Sequence, residues 1–75
     1  MDIALTDFIR INLLLRTLGY MLVAERICDG RCEMYLSLSD FARINAVLNE
    51  LGFRLVAQTI VAGYCMDVTV EILPE

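Results

Sequence analysis

The chain has no histidine, no lysine and no tryptophan, and a single proline among its 75 residues. Without histidine, the Ser-His and Cys-His nucleophile–base pairs of covalent catalysis are excluded, as is the commonest metal ligand. Six arginines stand against ten acidic residues, a net charge of −4. That is not the cationic footprint that releases counterions from phosphates, so direct nucleic-acid binding is not expected. Cysteines number three, an odd count that argues against a closed disulfide framework and for a reducing compartment. No apolar stretch reaches the roughly 18 uncharged residues of a membrane span. The first residues, Met1-Asp2, then Asp7 and Arg10, form no basic leader ahead of an apolar core. These features together predict a cytoplasmic protein with no membrane association, no cofactor, no metal and no enzymatic activity.

What the chain has in excess is apolar surface. Hydrophobic residues make up 59 % of it, against roughly 45–50 % in ordinary soluble domains, and its mean hydropathy is +0.65. A domain this small has too much surface per volume to hide that much apolar area alone. A second copy or a partner protein is the economical cover, because large apolar patches are rare on monomers.

The chain also repeats itself. Shifted by 33 positions, Leu5–Tyr35 lies on Leu38–Val68, and 15 of the 31 pairs are identical. They include Asp7/Asp40, Phe8/Phe41, Arg10/Arg43, Ile11/Ile44, Asn12/Asn45, Leu15/Leu48, Gly19/Gly52, Leu22/Leu55, Val23/Val56, Ala24/Ala57, Ile27/Ile60 and Cys32/Cys65. Ordinary composition gives about two or three by chance. The expected organisation is one domain over residues 1–75, copy one spanning about 3–35 and copy two about 36–73.

In each copy an apolar stripe at 3-4-3 spacing (Phe8, Ile11, Leu15, Leu18 and Phe41, Ile44, Leu48, Leu51) predicts a helix. Thr6 and Ser39 are the expected N-caps and Gly19 and Gly52 the expected C-terminal stops. Short strands are expected before the helices, at Asp2–Leu5 and Glu33–Leu38, and a hairpin after each. Tyr20–Cys28 and Arg31–Leu38 flank Asp29-Gly30, a type I′ turn dipeptide; Phe53–Val61 and Cys65–Leu73 flank Ala62-Gly63-Tyr64. In the second hairpin the apolar alternation runs one residue late, which predicts a three-residue loop or bulge at Ala62–Tyr64.

The predicted order is thus β-α-β-β-α-β-β. It is an α+β, ferredoxin-like βαββαβ pattern with an extra C-terminal strand, two helices covering one face of an antiparallel-rich sheet. In element order it resembles the ACT-type regulatory modules, although Leu5-Thr6-Asp7 replaces the glycine-bearing first loop of those ligand-binding domains. The resemblance implies a small-molecule sensor with ligand at a dimer interface.

Chemistry-bearing clusters are sparse. Cys28 and Cys32 bracket the expected first turn and would point to opposite faces, and Cys65 reads as a small buried apolar side chain. Asp7/Arg10 and Asp40/Arg43 read as exposed ion pairs one helical turn apart. Arg26 and Glu33 are expected to face each other across the first hairpin. The copies differ most on the outer side of the first helix, where Ile9 and Leu13 stand in place of Ala42 and Ala46. With Arg10 and Arg16 beside them, and with Tyr35 and Leu22 from the first hairpin, they form the expected partner-binding set. The expected function is a non-catalytic protein-binding module that acts by occupying a surface and self-associates. It would serve as an inhibitor or adaptor, in its most specific form a phage-type inhibitor of a host defence complex. The alternative is the ACT-like sensor.

Overall fold

A computed structural model describes residues 4–28 and 33–74. The elements run α1 (Leu5–Thr17), α2 (Met21–Cys28), β1 (Leu36–Ser37), α3 (Leu38–Glu50), β2 (Phe53–Val61) and β3 (Tyr64–Ile72). The architecture is α+β, with three helices and an antiparallel three-stranded sheet of order β1-β3-β2 among the described residues.

The two long helices follow the repeat to the residue. Each has 13 residues, and α3 starts and stops 33 positions after α1. Both end at a leucine cap followed by a glycine in the left-handed region, Gly19 at φ +92° and Gly52 at φ +91°. There the missing Cβ lets the chain reverse direction without the clash that other residues meet. Their starts lie earlier than Thr6 and Ser39 imply. Ser37 caps α3, its hydroxyl accepting from Asp40 N–H at 3.2 Å. Ala4 occupies the same place on α1 with no side-chain cap, its carbonyl accepting from Asp7 and Phe8 N–H at 3.0 Å each.

The second hairpin also forms where expected, but with a tighter turn. Val61 pairs with Tyr64, so the loop is the two residues Ala62-Gly63, with φ +53° and +82°. Positive φ at both central residues is the type I′ geometry that matches strand twist. The predicted three-residue loop is therefore absent, and the change of phase falls inside β3. Cys65 and Val68 are both fully buried although three residues apart, and between them Asp67 adopts φ +56°. One left-handed residue turns the remainder of the strand over, which restores the burial of Val68 and Val70.

The first hairpin is the main correction. Tyr20–Cys28, expected as a strand, contains the helix α2, although it shares Leu22, Val23, Ala24 and Ile27 with the segment that forms β2. The substitutions explain the divergence. β2 carries Thr59 and Val61 where α2 carries Arg26 and Cys28, and β-branched side chains favour strands. In β2, Arg54 also makes a two-donor ion pair with Glu71 across the hairpin, at 2.9 and 2.7 Å. The corresponding positions in the first copy are Met21 and Leu38, which cannot make it.

Of the expected Glu33–Leu38 strand only Leu36–Ser37 is β structure, and Leu38 already belongs to α3. Leu5, expected to end the first strand, opens α1; residues 2–3 and the Asp29-Gly30 turn lie outside the described residues. β3 sits at the centre of the sheet rather than at its end. α3 packs on β2, whereas α1 packs mainly on α2, so the two long helices do not share the sheet as a common floor. The core joins all six elements: Ile11 and Leu15, Val23, Ala24 and Ile27, Leu36, Ile44 and Leu48, Phe53 and Leu55, then Cys65, Val68 and Val70. Among the described residues no helix is long and apolar enough to cross a membrane.

Candidate functional site

Where α2 begins, the chain has just reversed at Gly19 and run back toward the start of α3. Tyr20 fixes this corner. Its hydroxyl donates to Asp40 Oδ1 at 2.9 Å and accepts from Arg43 Nη1 at 3.2 Å. The Asp40/Arg43 pair of the second copy is thus bridged by a tyrosine of the first. In the first copy Asp7 and Arg10 form the expected exposed ion pair, at 3.5 Å.

Beyond Tyr20 the surface sinks into an open groove of about 420 Å³ between α2 and the segment leading into β1. Met21, Leu22, Met34 and Tyr35 line it together with Asp40. Tyr35 is also a wall of a second concavity of about 410 Å³, with Val61, Ala62 and Tyr64 at the β2–β3 turn. The Tyr35 and Tyr64 rings meet edge to face, their centroids 6.3 Å apart, the arrangement that ring quadrupoles favour. Leu22 is 55 % exposed and Tyr35 64 %, and Met21, Met34, Val61 and Tyr64 are exposed as well. Tyrosine and methionine are the residue types that enrich the centres of protein interfaces.

Of the expected partner-binding set, Leu22 and Tyr35 come together in this groove. The other four members, Ile9, Arg10, Leu13 and Arg16, are exposed on α1 and do not line it. There Leu5 (74 % exposed), Ile9 (51 %) and Leu13 (60 %) succeed one another at four-residue intervals, which makes a single apolar row along the helix. Leu55 and Ala24 are buried and Ala57 is half-buried.

Sequence reasoning missed Tyr20, Met21, Met34 and Tyr64 as members of the site. Tyr20 carried a signal, since the position in the second copy is Phe53 and only the first copy has the hydroxyl. Met21 and Met34 meet in the groove because residues 21–28 are helical, whereas Tyr64 reaches Tyr35 through the pairing of Ser37 with Tyr64 between β1 and β3.

Asn45 and Asn12, read as residues flanking the core stripe, separate sharply. Asn45 Oδ1 accepts from Leu55 N–H at 2.8 Å and fastens β2 to α3. Asn12 Oδ1 is buried without a hydrogen-bond partner. Cys65 is free and fully buried, as a small apolar side chain would be. Cys32 and the Cys28 side chain lie outside the described residues, and so does their expected divergence. Arg26 now sits in the last turn of α2 rather than on a hairpin arm. Among the described residues no three histidine, cysteine, aspartate or glutamate side chains cluster as metal ligands would. Compared with known proteins, the chain matches no family model, no curated protein and no solved structure.

Proposed function

We propose that this protein is a binding module that acts by covering a surface of another protein, as an inhibitor or adaptor, and that it self-associates. One observation carries the reading: six exposed apolar side chains, Met21, Leu22, Met34, Tyr35, Val61 and Tyr64, converge on two adjoining concavities that share Tyr35. An apolar anchor of the partner would enter the groove beside Tyr35 and bury the aromatic edge, the arrangement that concentrates binding energy in a few residues. Asp40 on the groove wall and the net charge of −4 favour a partner with cationic residues around that anchor. The row Leu5, Ile9 and Leu13 on α1 is a separate surface, and it is assigned to a second copy of the chain.

The groove is tested by affinity capture from lysate of the organism that carries the gene, with wild type and Leu22→Asp/Tyr35→Asp compared. Both side chains are exposed, so the double variant is expected to fold with an unchanged far-ultraviolet spectrum. Proteins retained by wild type at physiological salt should be lost from the folded variant by a factor of about 30 or more, as removal of an interface hot spot implies. Equal retention by the two proteins would remove the groove from the binding surface.

A further inference from the structure

We infer that residues 20–28 have a second state, a strand paired with residues 33–37, in which the first copy takes the form that the second copy shows. The first argument is the orphaned side chain. Asn45 receives the N–H of Leu55, and the residues 33 positions earlier are Asn12 and Leu22. In the helical state Leu22 belongs to α2, and Asn12 Oδ1 is left buried with no partner. Buried polar atoms are seldom unsatisfied without a reason. The strand state supplies the missing donor, the N–H of Leu22.

The second argument is register. Moving the observed pairs Leu55–Val70, Ala57–Val68 and Thr59–Met66 back by 33 gives Leu22–Ser37, Ala24–Tyr35 and Arg26–Glu33. That register sets Arg26 directly opposite Glu33, an opposite-charge cross-strand pair.

The third argument is that the segment carries two apolar periods. As a helix it buries Val23, Ala24 and Ile27. As a strand following Phe53, Leu55 and Ala57 it would turn Tyr20, Leu22 and Ala24 inward. Either periodicity provides a face for the core, and two packings of one sequence that lie close in energy make a switch. The consequence for the surface is direct. Ala24 opposite Tyr35 fills the space between α2 and the segment entering β1, so the groove exists only in the helical state.

The test writes the second copy's residues into the first, Glu25→Gln/Cys28→Val, leaves Arg26 to pair with Glu33, and reads backbone carbon chemical shifts. Extended shifts over residues 20–28, with a slowed exchange of the Leu22 amide, are expected. Helical shifts over 21–28 in the folded variant would overturn the inference. If the variant does not fold, saturation-transfer spectroscopy on the wild type decides. A minor state with extended shifts confined to residues 20–28 and 33–37 is expected, and a single helical state would refute it. Neither readout involves a partner, so a failure here leaves the proposed binding surface untouched, and the reverse also holds.

Discussion

Leu48→Ala should lower the stability of the protein by about 2–5 kcal/mol, the range found when a fully buried leucine is cut back and the core cannot collapse around the gap. Leu48 has no exposed surface and lies on the face of α3 that packs on β2. A chain of this length is held together by roughly 4–11 kcal/mol in all, so the loss removes a large part of the total. Leu15, its counterpart on α1, is equally buried, and although α1 leans on α2 rather than on the sheet, its core residues belong to the same cluster. Leu15→Ala should therefore cost a similar amount, in one transition. Urea unfolding followed by circular dichroism measures both. A loss below about 1 kcal/mol at Leu15 with a normal loss at Leu48 would mean that α1 and α2 are not part of the cooperative core.

The paired asparagines should respond in opposite directions. Asn45→Ala removes the acceptor of the Leu55 N–H at a part-buried position, and leaving such a donor unpaired costs about 1–3 kcal/mol. Asn12→Ala removes an oxygen that has no partner, so no bond is lost. A mid-helix asparagine is replaced by the best helix former, worth up to about 0.7 kcal/mol. Stability should stay level or rise slightly. The same unfolding experiment checks it. A loss at Asn12 matching that at Asn45 would show that Asn12 already receives a backbone donor in the dominant state, and would contradict the helical assignment of residues 21–28.

How much was legible in the sequence follows from which forces were local. The helices were, because the stripe and the stopping glycines act within a few residues. α1 and α3 run as the 3-4-3 spacing implies, with their starts moved upstream. The second hairpin was legible for the same reason, its strands falling almost where alternation placed them. The first hairpin was not, because the repeat argues by likeness, and Leu22, Val23, Ala24 and Ile27 serve a helix face as well as a strand. The decision rests on Arg26 and Cys28 against Thr59 and Val61, and on an Arg54–Glu71 pair that only the second copy has. The site followed that outcome. Leu22 and Tyr35 could be named as exposed contacts, but their junction with Met21 and Met34 required a helix where the repeat implied a strand.

The apolar surface of this small acidic chain is proposed to serve association, beginning with its own second copy on α1. Light scattering on a sizing column tests it most directly, with wild type compared to Ile9→Asp/Leu13→Asp. Both residues are exposed on α1, so the variant should keep its fold. The account predicts a wild-type mass of twice the 8.5 kDa of one chain, returning to the single-chain mass in the variant. A wild type that stays monomeric at high concentration, or a variant that stays dimeric, would contradict it.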